Sequence, residues 1–115
     1  MSSPGPSTVK PGSGTSSREE ILDAISQHRI MLFMKGSPEM PRCGFSAQVV
    51  TLLKENGAEF AAMDILPDPR IRQVLSEHSG WPTIPQLFVN GELVGGCDIV
   101  TELAEEGKLK EMVAA

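Results

Sequence analysis

Five consecutive apolar residues, Ile30, Met31, Leu32, Phe33 and Met34, run straight into a loop and then a helix-like segment, and this constrains the chain more than any other feature. A strand with one face in water alternates polar and apolar side chains. A run without alternation suits coverage on both faces, as in the middle of an α/β sheet. The two methionines read as core filling rather than as metal ligands. The loop from Lys35 to Ser46 therefore joins a central strand to a helix expected over Ala47 to Asn56, with Val49, Val50, Leu52 and Leu53 buried and Gly57 suited to end it. Cys43 lies in that loop. Free backbone N–H groups at a helix N-terminus carry partial positive charge, and with a cation such as Lys35 nearby they favour thiolate over thiol.

The rest of the chain supplies a frame for that strand. Residues 1–17 are almost entirely Ser, Pro, Gly and Thr, which bury too little apolar surface to offset ordering entropy, so a disordered tail is expected before a domain over 18–115. Ser17, Arg18, Glu19 and Glu20 have capping-box spacing, and Ile21, Ala24, Ile25 and His28 recur at helical intervals, giving a first helix over 18–28 with His28 in its last turn. A second strand over 59–65 follows the Cys43 helix and is expected parallel to the first through a right-handed crossover. Asp68 and Pro69 supply an N-cap and a first-turn proline for a third helix carrying Ile71, Val74, Leu75 and His78. Gln86 to Val89 and Glu92 to Gly95 flank Asn90-Gly91, a favoured two-residue hairpin turn. Asp98 is expected to cap a helix to Glu106, Gly107 to end it, and Leu109, Met112 and Val113 to mark a last short helix. The order is αβαβα, then ββα and a terminal α.

Composition excludes several function classes. A net charge of −5 with mixed signs argues against a broad basic face for nucleic acid. No apolar run approaches the roughly 20 residues that span a bilayer, so no membrane role is expected. The two cysteines, Cys43 and Cys97, form neither a disulfide framework nor a paired zinc motif, which fits a reducing compartment. The tail lacks acids yet is nearly devoid of Arg, so the mitochondrial matrix and the cytoplasm both remain open.

Lys35-Gly36-Ser37-Pro38 followed by Pro41-Arg42-Cys43-Gly44-Phe45-Ser46 resembles the active-site loop of monothiol glutaredoxins, the CGFS class, and Trp81-Pro82-Thr83-Ile84-Pro85 and Gly95-Gly96-Cys97-Asp98 match the same family in order. The resemblance covers about residues 18–115 and implies a thioredoxin-like fold, a four-stranded mixed sheet flanked by about five helices. It implies glutathione as ligand and a [2Fe-2S] cluster bridged between two protomers, with Cys43 as the reactive thiol and metal ligand and two glutathione cysteines completing the set. Homodimers, BolA-type partners, an iron-sulfur assembly machinery and recipient apo-proteins follow from the same likeness.

For the glutathione, the resemblance points to Lys35 and Arg72 at the glycine carboxylate, Phe45 beside the thiol, and Thr83, Ile84 and a cis Pro85 along the peptide. Gly95-Gly96 allows close backbone approach, the amides of Cys97 and Asp98 suit the γ-glutamyl carboxylate, and the Asp98 side chain suits the ammonium. A dithiol relative has a resolving cysteine three residues after the first; here that place is Ser46, which cannot resolve a disulfide. Two main functions follow, a glutathione-dependent cluster carrier and, as the alternative, a thiol-disulfide oxidoreductase of weak activity that deglutathionylates proteins; whether it is an enzyme stays open. A regulatory adaptor without chemistry is a third. Cys97 has three readings: disulfide partner of Cys43, cluster thiolate in a glutathione-free dimer, or small side chain whose amide binds. The last is preferred.

Overall fold

The computed structural model describes residues 7–8, 17–81 and 83–114. Ten elements follow in order: β1 Ser7–Thr8, α1 Ser17–Gln27, β2 Ile30–Met34, α2 Gly44–Glu55, β3 Ala61–Asp64, α3 Pro69–Ser79, β4 Gln86–Val89, β5 Glu92–Gly95, α4 Cys97–Glu105 and α5 Lys108–Val113. β3, β2, β4 and β5 lie side by side in that order, β3 parallel to β2 and the other two pairs antiparallel. This is the four-stranded mixed sheet with five helices that the resemblance implied.

The unbroken apolar run is accounted for by the two faces of β2. Ile30, Leu32 and Met34 pack with Val49, Val50, Leu53, Val100 and Leu109 from α2, α4 and α5. Met31 and Phe33 point the other way, against Ile21, Ile25, Ile71 and Leu75 of α1 and α3. All five strand residues are buried, because period-2 side chains meet helices on both sides. Phe33 and Phe88 meet edge to face with centroids 5.7 Å apart across the β2–β4 pair.

Local signals set most boundaries. The Asp68 side chain accepts the Arg70 N–H at 3.0 Å and caps α3 with Pro69 at its first position. Asn90 and Gly91 both have positive φ, 53° and 82°, as the hairpin requires. At the end of α2, Gly57 at φ 74° donates to the Lys54 carbonyl and Ala58 to that of Leu53, the paired bonds of a Schellman stop.

Four expectations change. α2 begins at Gly44 rather than Ala47, so Cys43 itself is the N-cap. α4 begins at Cys97 with Gly96 as N-cap, so Asp98 sits inside the first turn instead of capping the helix. A carboxylate in the first turn suits the positive end of the helix without capping it. α1 stops at Gln27, leaving His28 just beyond it with its N–H on the Ala24 carbonyl at 3.2 Å. Finally, Ser7–Thr8, within the tail expected to be disordered, pair in parallel with Ala61 and Ala62 and add a short fifth strand at the sheet edge. Backbone pairing at an open edge needs no apolar side chain, so composition does not signal it. Ser17, the last residue of the expected tail, opens α1, and the rest of that tail lies outside the described residues.

Candidate functional site

Cys43 stands between β2 and α2 with an extended backbone, φ −148° and ψ 137°, and the first turn of α2 directly behind it. The N–H of Ser46 is the largest influence holding its thiol below the ordinary value of 9.0; burial pushes the other way, and the Phe45 N–H, the Lys35 charge and the Ser46 hydroxyl add to the lowering. Ser46 is fully buried, and its oxygen accepts the Lys35 N–H at 3.1 Å. The hydroxyl keeps its own proton to donate, and of the influences that lower the Cys43 thiol it is the smallest.

A chemical measurement follows. Alkylation of Cys43 by iodoacetamide is expected to rise with pH around an inflection below that of an ordinary thiol. Ser46→Ala should move the inflection upward, yet not all the way, because the stronger backbone N–H of residue 46 survives the change. An inflection unmoved in Ser46→Ala removes the hydroxyl from this account. The same depression favours the folded state above the unfolded thiol's pKa, and that contribution fades as pH falls through the folded value.

The loop before Cys43 is held from three sides. Arg42 donates its N–H to the Lys35 carbonyl at 2.8 Å, and Ser37 and Met40 exchange N–H bonds at 3.2 and 3.0 Å. Asp64, at the end of β3, accepts the N–H groups of both Gly36 and Leu66 through one oxygen, each at 2.9 Å. Gly36 has φ 88°, and an added Cβ would lie 2.7 Å from Arg42 Cγ and against the Met40 carbonyl. Gly36→Ala should therefore cost at least about 1 kcal/mol from the backbone conformation alone, read as a lower urea midpoint.

Around the thiol the chain closes a cleft of about 400 Å³. Lys35, Cys43 and Phe45 form the side nearest the loop, and Arg72 reaches it from α3. Trp81, Thr83, Ile84 and Pro85 form a second wall, with the Ile84–Pro85 bond cis. Gly96, Cys97 and Asp98, at the start of α4, form a third. Every residue expected at the site thus lines one cavity.

Close backbone approach at Gly96 is real: a Cβ there would sit 3.1 Å from Trp81 Nε1 and 3.2 Å from the Pro85 carbonyl. Cys43 and Cys97 are both free thiols, and Cys97 Sγ lies 3.9 Å from Thr101 Oγ1. Cys97 also lines a neighbouring groove of about 430 Å³ with Cys43, Phe45, Gln48 and Thr101.

Three residues outside the expected site set belong to this architecture. Trp81, which opens one of the matching motifs, lines the cleft, and its indole N–H is buried with no partner among the described residues. An unpaired buried donor costs about 1–3 kcal/mol, so position rather than stability explains it. Asp64 holds the loop, and its only sequence signal is a carboxylate at a strand end. Gln86 is fully buried at the start of β4, where the signal was one polar residue opening an apolar strand.

A thioredoxin-like sheet thus presents a part-exposed cysteine of lowered pKa on the wall of a cleft. Residues 30–94 match the family model described as Glutaredoxin. The chain is 50% identical over 105 residues to Monothiol glutaredoxin-S11 of Oryza sativa subsp. japonica, covering 87% of this chain but only 21% of that protein. It is 52% identical over 95 residues to Glutaredoxin 4 of Escherichia coli (strain K12), covering 83% of each. With Monothiol glutaredoxin-5, mitochondrial, of Saccharomyces cerevisiae it shares 48% identity over 102 residues, 86% of this chain and 68% of that one.

Among solved structures, reduced poplar apo GrxS14 superposes with a TM-score of 0.74 at 44% identity, covering 84% of this chain and 88% of that one. The buckwheat glutaredoxin–glutathione complex gives 0.75 at 25% identity, covering 84% and 86%. The chain belongs to the glutaredoxin family, in its monothiol branch. Among the described residues no helix is long and apolar enough to cross a membrane.

Proposed function

We propose that this chain is a glutathione-dependent carrier that accepts a [2Fe-2S] cluster between two copies of itself and passes it to apo-proteins. One observation carries the reading: a part-exposed Cys43 with a lowered pKa, beside a buried Ser46 where a resolving cysteine would stand. The donor set fits shared ligation. Among the described residues no three His, Cys, Asp or Glu side chains gather as a metal cage. A cluster held by thiolates needs four, so two Cys43 thiols and two glutathione thiols complete it.

Glutathione fits the cleft by charge and backbone. Lys35 and Arg72 offer cations for its glycine carboxylate, the free amides at the start of α4 suit the γ-glutamyl carboxylate, and Asp98 suits the ammonium. The backbone of Thr83 and Ile84 lies along the wall for its peptide bonds, with Pro85 and Phe45 as apolar sides. The buckwheat glutaredoxin of the same fold was solved in complex with glutathione, which supports the same assignment. BolA-type proteins, an assembly machinery and recipient apo-proteins are the partners this role requires, in a reducing compartment, mitochondrial matrix or cytoplasm.

Anaerobic reconstitution of the apo-protein with iron and sulfide tests the reading. Visible absorbance and a dimer on size exclusion are expected only with glutathione present. Colour without glutathione makes Cys97 the second ligand; no colour under either condition overturns the carrier role.

The lowered Cys43 pKa also favours a second reading, deglutathionylation. The thiolate attacks the glutathione sulfur of a mixed disulfide, the protein thiol leaves with a proton, and a second glutathione resolves the Cys43 adduct as oxidised glutathione. Turnover of a small mixed disulfide at rates typical of dithiol glutaredoxins would put this reading first.

A further inference from the structure

We propose that Gln86, which does not line the cleft, is a positioning residue that sets the cleft for glutathione, an inference that rests on the glutathione site proposed above. Gln86 is fully buried, and its amide nitrogen donates to the carbonyls of Trp81 at 2.9 Å and Thr83 at 3.2 Å. Carbonyls only accept, so the nitrogen must face them and the amide oxygen must face the Ser79 hydroxyl, 3.0 Å away, whose single proton is shared with the Leu75 carbonyl at 2.8 Å. Ser79, the last residue of α3, also accepts the Trp81 N–H at 3.0 Å.

Trp81 is thus pinned at its N–H by Ser79 and at its carbonyl by Gln86. Its indole covers Gly96, the N-cap of α4, with Nε1 3.1 Å from where a Cβ would stand. The same amide of Gln86 holds Thr83, whose neighbours Ile84 and Pro85 continue the wall. One buried side chain on β4 therefore ties the end of α3 to the wall of Trp81, Thr83, Ile84 and Pro85 and, through the indole, to the start of α4. Cys43 takes no part in these bonds; its environment comes from α2 and Lys35.

The geometry points to a split between two readouts. Gln86→Met keeps length and removes both donors, and Ser79→Ala removes the α3 end of the network. Glutathione affinity of the reduced apo-protein, by NMR titration, is expected to fall roughly tenfold in Gln86→Met and less in Ser79→Ala, the size that loss of buried neutral hydrogen bonds carries. The rate and pH inflection of Cys43 alkylation should stay within about twofold of wild type. A merely structural role would move both readouts or neither. Wild-type affinity retained in Gln86→Met, or in Ser79→Ala should the first variant fail to fold, overturns the proposal. Absence of glutathione binding by the wild type overturns the glutathione site itself, and this role with it.

Discussion

Cys43→Ser is expected to abolish both the visible absorbance of the reconstituted protein and iodoacetamide labelling at this position, while the unfolding free energy from urea denaturation stays within about 0.5 kcal/mol of wild type. The small stability effect follows from its place: Cys43 is half-buried at a helix start and its side chain makes no cap bond. The large functional effect follows from chemistry, since a hydroxyl at this site is neither thiolate nor soft ligand. Cluster occupancy at wild-type level in Cys43→Ser would end the carrier reading. A glutathione-bound but colourless variant would separate ligand recognition, which the walls supply, from cluster ligation, which the sulfur supplies.

The opposite profile is expected of Phe33→Ala. Phe33 is fully buried in the central strand, pairs edge to face with Phe88 and packs in the cluster that also holds Ile71, Leu75 and Ile84. Removing the ring should cost about 3–5 kcal/mol, a large share of the roughly 5–15 kcal/mol that keeps a domain folded. Equilibrium urea denaturation reads it directly. Because Ile84 belongs to both this cluster and the cleft wall, glutathione affinity should weaken as well, even under conditions where the variant remains folded. A loss below about 1 kcal/mol would mean that the neighbours collapse into the space, and that the sheet is less tightly packed than its burial indicates.

Legibility in the sequence tracked the range of each interaction. Asp68-Pro69 before α3 and Asn90-Gly91 between β4 and β5 act on residues two or three away, and both behave as read. The start of α4 did not, because Asp98 competes with Gly96, whose lack of a Cβ is required by Trp81 and Pro85 far away in the chain. The start of α2 moved for a similar reason. The Cys43 carbonyl accepts the Ala47 N–H and the buried Ser46 bonds back to Lys35, so residues that read as loop join the helix.

By itself the sequence determined the order of elements from α1 onward, the double-sided burial of Ile30–Met34 and the placement of Cys43 between strand and helix. These depend on side-chain period and on caps, which act within a few residues. Only the tertiary structure decided that Arg72, Trp81, Thr83 to Pro85 and the start of α4 meet around that thiol, that Asp64 anchors a loop 28 residues earlier, and that a buried glutamine on β4 holds the wall. Such contacts join segments that periodicity treats as independent. They exist only once both faces of β2 are covered and these segments are brought together beyond the end of that strand.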